Sequence, residues 1–118
     1  MYTTKRLMLA ALLSTSLLSI TGVQAQDNNL RLIVPYPPGG STDLAARIVA
    51  NELQTRLGSN VVVENMVGAG GRLAMQNIKR MPADANVLVI ANPALITVAP
   101  LVFKNTGYDP DADFQALS

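Results

Sequence analysis

Val34-Pro35-Tyr36-Pro37-Pro38-Gly39-Gly40-Ser41-Thr42-Asp43 is the stretch whose reading decides the fold. An apolar run, Leu30 to Val34, leads into it, and an amphipathic run, Leu44 to Leu57, leads out. The order is that of a strand, a tight Pro/Gly loop and a helix N-terminus. Such a junction gathers unpaired backbone N–H groups and the positive end of a helix dipole in one place. It suits an anion, and a carboxylate fits as well as a phosphate. Pro35, Pro37 and Pro38 end the strand because proline cannot continue a hydrogen-bonded ladder. Ser41 or Thr42 is the expected N-cap, with Asp43 in the first turn complementing the dipole.

Working toward the N-terminus, residues 1–25 read as a secretory signal peptide. Lys5 and Arg6 give a positive start, Leu7 to Ile20 is apolar, and Val23-Gln24-Ala25 offers small residues before a cut ahead of Gln26. The apolar run is about 14 residues, short of the roughly 20 that span a bilayer. Removing this segment takes the 9 basic residues to 7 against 8 acidic ones, a net charge of −1. No basic field for nucleic acid is left. The chain has no His and no Cys. Zinc and thiolate sites of the common kinds, disulfides and a Ser-His-Asp triad are therefore excluded. Ser41 reads as a cap or a hydroxyl donor, not a nucleophile.

Toward the C-terminus, i,i+4 pairs Leu44/Ile48, Val49/Leu53 and Leu53/Leu57 predict a helix with one apolar face, closed by Gly58 in the left-handed C′ position. Val61 to Glu64 is a short β-branched strand. Asn65 to Gly71 is a second glycine-rich loop, and a helix from about Arg72 to Arg80 follows, stopped by Pro82. Val87 to Ala91 predicts a third buried strand, broken by Asn92-Pro93. One or two short helical turns are expected between Ala94 and Phe103, a turn at Asn105 to Pro110, a helical turn at Asp111 to Phe114, and the start of a strand at Ala116-Leu117-Ser118.

This β-α-β-α-β order predicts an α/β fold with parallel strands and right-handed crossovers. Ligands of such sheets bind beyond the carboxyl ends of the strands. Three loops follow strand ends here: Tyr36 to Asp43, Asn65 to Gly71 and Ala91 to Ala94. Their shared position argues for one site without any motif match. Other motifs are weaker. Gly68-Ala69-Gly70-Gly71 suggests a dinucleotide fingerprint, but Leu73 stands where its last glycine belongs, and no Gly-Lys-Ser/Thr supports a P-loop. Arg72 reads as a ligand-pairing cation or, more simply, a solvated arginine. Asp109, Asp111 and Asp113 space like a piece of a calcium loop, but a turn leading into a helix explains them better.

Taken together, Leu32-Ile33-Val34-Pro35-Tyr36-Pro37-Pro38-Gly39-Gly40-Ser41-Thr42-Asp43, Ala46-Arg47, Arg56-Leu57-Gly58, Val61-Val62-Val63-Glu64-Asn65, Gly68-Ala69-Gly70-Gly71, Tyr108-Asp109-Pro110 and Asp113-Phe114 carry a family likeness. The chain resembles the periplasmic solute-binding receptors of tripartite tricarboxylate transporters, the Bug or TctC family. The resemblance implies lobe 1 of a type II periplasmic-binding-protein fold, incomplete, with residues 26–118 covering the first third of such a receptor up to the crossover into lobe 2. It also implies a small carboxylate as ligand, membrane permease subunits as partners, no cofactor, no catalysis and a periplasmic location. Carried over, the ligand contacts are Tyr36, Gly39, Gly40, Ser41, Thr42 and Asp43 from the first loop and Gly68, Ala69, Gly70 and Gly71 from the second. Ala91 and Asn92 represent the third. The sequence departs from the family at Met66-Val67, where Arg-Pro is usual, at Ala85-Asn86, where Gly-Tyr is common, and at Asn92 to Val98, which lacks the usual small polar run. One lobe alone is expected to bind weakly. The rival readings are a truncated, non-functional remnant with an exposed sheet edge and a small phosphate-handling enzyme, which the missing His, Cys and Gly-Lys motifs oppose.

Overall fold

A computed structural model describes residues 29–117. The signal-peptide reading of residues 1–25 and Ser118 lie outside the described residues. The elements are β1 (Leu30–Val34), α1 (Ser41–Leu57), β2 (Val61–Asn65), a 3-10 turn (Ala69–Gly71), α2 (Arg72–Lys79), β3 (Val87–Val89), a π turn (Ala94–Val98) and α3 (Ala99–Val102). The three strands form one parallel sheet in the order β2-β1-β3. β1 is central, with Leu32 beside Val63 on one side and Leu88 on the other. The architecture is α/β, as expected.

β1 is buried on both faces, which explains its nearly unbroken apolar sequence. Its even-numbered residues face α1: Leu30, Leu32 and Val34 pack with Val61 of β2 and with Ala46 and Ala50 of α1. On the opposite face Met75 of α2 packs with Leu95 and Tyr108, beside Val89. Leu32, Ile33 and Val34 are 2% exposed or less. Each such side chain contributes about 1.5–3 kcal/mol on leaving water. Arg31, on the α2 face, makes a bidentate pair with Glu64 at 2.6 and 2.7 Å, a diagonal contact between adjacent strands.

The structure corrects several expectations. α1 does not bury the stripe of large apolar residues. Leu44, Ile48, Val49 and Leu57 are exposed, and the buried face is Asp43, Ala46 and Ala50. Small alanines let the helix sit close to the sheet, and the bulkier residues flank that contact. The N-cap is Gly40, without a side-chain cap bond, so Ser41 and Thr42 are already helical. Asp43 turns inward to contacts of its own. Gly58 closes the helix as expected, in left-handed geometry with its N–H bonded to Gln54 O. β3 is three residues long and half-buried, because it is an edge strand. Residues 110–112 form a single turn that does not continue as a helix: Asp109 Oδ1 caps the N–H groups of Asp111 and Ala112, and one i,i+4 bond, Asp113 N–H to Asp109 O at 3.0 Å, closes it. Residues 115–117 form no strand.

Candidate functional site

All three strands run the same way, so the loops after β1, β2 and β3 share one edge of the sheet. The ladder persists to that edge through Met66 N–H to Val34 O at 2.8 Å and Ile90 N–H to Ile33 O at 3.0 Å. The loops are therefore launched from a rigid base.

Gly71 marks where they meet. A Cβ built there would lie 3.0 Å from Pro35 Cβ of the first loop and 3.0 Å from Leu95 Cδ1 of the third segment. Its φ of 92° also lies in the left-handed region. Only glycine satisfies both the conformation and the close approach. Gly68, Ala69, Gly70 and Gly71 have φ of 152, 49, 66 and 92°. Four successive residues at positive φ curl the backbone into a tight turn closed by Gly71 N–H to Gly68 O at 2.8 Å, while the N–H groups of Gly68, Ala69 and Gly70 make no backbone bond among the described residues. Ala69 has no glycine freedom, so its conformation is strained by about 1–2 kcal/mol.

The first loop is held by a clasp centred on Asp43, whose side chain is only 2% exposed. Asp43 Oδ2 accepts from Gly39 N–H at 2.9 Å and Arg47 Nε at 3.0 Å. Oδ1 accepts from Asn65 Nδ2 at 2.9 Å and Arg47 Nη2 at 3.2 Å. The carboxyl is held down at about 2, from an ordinary 3.8, first by Arg47, then by the Gly39 N–H and Asn65. Asn65 Nδ2 also donates to Tyr36 O at 3.0 Å, so the end of β2 pins both ends of the first loop. A bare carboxylate beside the loop would repel an anion, which counts against an anion site here. The clasp removes this objection, because Arg47 balances the charge and all the carboxylate's bonds are internal. The N–H groups of Ser41, Thr42 and Asp43 open the helix and make no backbone bond among the described residues. Leu44 N–H is the first to be paired, to Gly40 O at 2.9 Å.

Gly39, Gly40 and Ser41 are exposed, Thr42 is half-buried, and half-buried Tyr36 packs against both apolar clusters. In the second loop Ala69 and Gly70 are exposed while Gly71 is buried. In the third, Ala91 and Asn92 are half-buried. Asn92 Oδ1 accepts Ala94 N–H at 3.1 Å and its carbonyl accepts Leu95 N–H at 3.0 Å, so this side chain starts the following turn. The expected residues thus share one edge, but Asp43 and Asn92 spend their side chains on the loops themselves. Arg72 is not simply solvated: its guanidinium carbon lies 3.7 Å from the centroid of the Phe103 ring. Asn65 and Arg47, which complete the clasp, were matched to the family pattern but not assigned to the site. Their sequence signal was position: one ends β2, the other lies four residues beyond Asp43. A groove of about 270 Å³ along the α1–β2 flank, lined by Arg47, Ala50 and Val63 among others, includes none of the loop glycines.

Residues 45–118 match the family described as "Tripartite tricarboxylate transporter family receptor", a range that holds the second and third loops. A UPF0065 protein of Bordetella pertussis is 39% identical over 82 residues, covering 70% of this chain and 25% of that protein. Among solved structures, MatC of Rhodopseudomonas palustris with bound malate aligns with a TM-score of 0.69 at 34% identity, covering 73% of this chain and 29% of that one. The periplasmic binding protein BugD aligns with a TM-score of 0.68 at 35% identity, covering 73% and 28%. The chain thus spans between a quarter and a third of the length of these relatives. A parallel sheet carrying paired glycine loops at its carboxyl edge, matched in sequence and in structure to periplasmic receptors, places the chain in the tripartite tricarboxylate transporter receptor family.

Proposed function

We propose that this chain forms part of lobe 1 of an extracytoplasmic receptor for a small carboxylate, and that the loop edge of the sheet is one wall of its ligand cleft. The convergence of the three strand-end loops on Gly71 carries this reading. It brings the N–H groups opening α1 and the curled backbone of Gly68 to Gly71 to the same edge. Both groups offer hydrogen-bond donors and partial positive charge without a formal cation. A carboxylate takes several such donors at once, and charge-assisted bonds to it are stronger than neutral ones.

In this reading the first loop contributes backbone groups of Gly39 to Asp43, the second those of Gly68 to Gly71, and Ala91 and Asn92 line the remaining side. Asp43 acts as the brace of the first loop. The malate bound to MatC supports a carboxylate ligand here, through family membership. The receptor would work outside the cytoplasm, following removal of residues 1–25, and deliver its ligand to the permease subunits of a tripartite transporter. Capture would be completed by a second lobe closing over the carboxylate. With one wall only, water competes for each donor, so binding to this chain is weak.

Amide-resolved NMR titration of the chain with malate tests the reading. The amides of Gly39 to Asp43 and Gly68 to Gly71 are expected to shift together on one binding curve. The uncharged diamide of the same skeleton should leave them in place. Equal shifts with both compounds, or shifts confined to other residues, would sink the reading. A sub-micromolar affinity in calorimetry would instead show that one wall suffices.

A further inference from the structure

Four ion pairs use most of the cations among the described residues: Arg31 with Glu64, Arg47 with Asp43, Arg56 with Glu52 and Lys79 with Asp113. Arg72, Arg80 and Lys104 have no such partner there. Arg80 and Lys104 are exposed, as solvated charges usually are. Arg72 differs from both. It is half-buried, and it lies one residue beyond Gly71, where the loops meet. It opens α2, so its backbone stands at the carboxyl edge of the sheet.

Its guanidinium is also fixed in place. The group lies over the Phe103 ring, 3.7 Å from the centroid, and a cation there is attracted by the ring's negative face. Phe103 is itself anchored at the end of α3, where its N–H bonds to Ala99 O at 3.0 Å. The contact engages the face of the guanidinium and leaves its N–H donors without an acceptor among the described residues. A planar fork of donors held by its face suits a carboxylate approaching from the edge, which it binds bidentately.

The backbone donors of the two glycine loops and the Arg72 fork are thus separate anion-seeking groups on one edge. We propose that Arg72, held by Phe103, is a specificity-determining residue that pairs with a second carboxylate of the ligand and selects dicarboxylates over monocarboxylates. This rests on the carboxylate reading of the loop edge. The backbone donors hold the first carboxylate of either ligand type, and only a dicarboxylate reaches both groups.

The test compares succinate with butanoate, which share a four-carbon skeleton and differ in one terminal carboxylate. Both are titrated into the full chain at neutral pH and followed by loop amides and by the Arg72 Nε–H resonance. Succinate is expected to bind about tenfold tighter, the effect of one charge-assisted pair. It should also shift the Arg72 Nε–H signal, which butanoate should leave alone. Arg72→Gln should bring succinate to the level of butanoate, and Arg72→Lys should retain part of the preference. Equal affinities in the native chain, a silent Arg72 signal, or a preference that survives in Arg72→Gln would overturn the inference while leaving the carboxylate reading intact. If neither acid moved the loop amides, the carboxylate reading would fall and the inference with it. The Nε–H readout needs no variant, so it decides the matter even if Arg72→Gln does not fold.

Discussion

Asn65, the last residue of β2, donates to Asp43 Oδ1 at 2.9 Å from a position 22 residues away in sequence. The same amide reaches Tyr36 O at 3.0 Å. One side chain therefore couples a strand end, a loop and the first turn of a helix. Asn65→Ala removes both bonds at once and leaves a carbonyl and a carboxylate short of a donor. A loss of about 1–3 kcal/mol is expected. Urea unfolding monitored by circular dichroism measures it. Asn65→Asp should be worse than Asn65→Ala at neutral pH, because it sets a second carboxylate against Asp43. The order of the two should narrow in acid.

The Asp43 carboxyl titrates at about 2 in the folded chain instead of 3.8. Between those values the unfolded chain binds the proton and the folded chain does not. Stability therefore rises with pH across that window. The contribution is complete above about pH 4 and is lost as pH falls toward 2. Glu64 and Asp113 are also lowered, by Arg31 and by Lys79, and act in the same direction. Asp43→Asn should flatten part of the stability curve across that acid window, not all of it. The Arg47 partner is 52% exposed, so salt should weaken the effect. Denaturation midpoints across a pH series, at low and high salt, check both statements.

Two glycines at positive φ separate strain from crowding. At Gly39, φ is 84° and a Cβ would meet nothing within 4 Å. Gly39→Ala should cost about 1 kcal/mol, the backbone term alone. At Gly71 the new methyl would meet Pro35 and Leu95, each at 3.0 Å. Overpacking adds about 1–3 kcal/mol there. Thermal melts should show a drop for Gly71→Ala at least twice that for Gly39→Ala. Equal drops would mean that the three segments do not meet at Gly71.

Tyr108 is buried, and its hydroxyl donates to Leu95 O at 2.6 Å. Tyr108→Phe should destabilise the chain by about 1 kcal/mol, the net worth of one such bond. Burial raises the Tyr108 pKa above its ordinary 10.0. The neutral phenol is thus favoured in the folded state, and stability present below that ordinary value should fall as pH climbs beyond it. The Phe variant should lack that alkaline decline, which melts at neutral and alkaline pH would reveal.

The strands and helices could be read from the sequence because their signals are local. Leu30 to Val34 is a buried run between polar and proline residues, and Gly58 and Pro82 mark helix ends plainly. The shared loop edge followed from parallel connectivity. The buried face of α1 could not be read this way. Periodicity ranks Leu44 and Ile48 above Ala46, but the distance of the helix from the sheet decides, and that favours alanine. The clasp on Asp43 was legible only in part for a related reason: Gly39 and Arg47 are close to it in sequence, but Asn65 is not. The Arg72–Phe103 contact spans two segments and has no sequence signal at all. At Asp109 to Asp113 the sequence signals a capped start, and Asp109 Oδ1 does cap the N–H groups of Asp111 and Ala112, but the chain makes one turn there and no helix follows.

The middle strand of the sheet is also the earliest in the chain among the described residues. In chain order β1 comes first, with both hydrogen-bonding edges bare, and neither is filled until its neighbours follow. β2 needs the whole of α1 first, and β3 needs α2 as well. Nothing resembling a hairpin can form early, so the first long-range contact waits on a crossover of about 26 residues, with its loop-closure entropy. Pairing in this sheet therefore carries a larger loop-closure cost than a hairpin would, and the apolar segment Leu30 to Val34 is the part that most needs shelter until it is met.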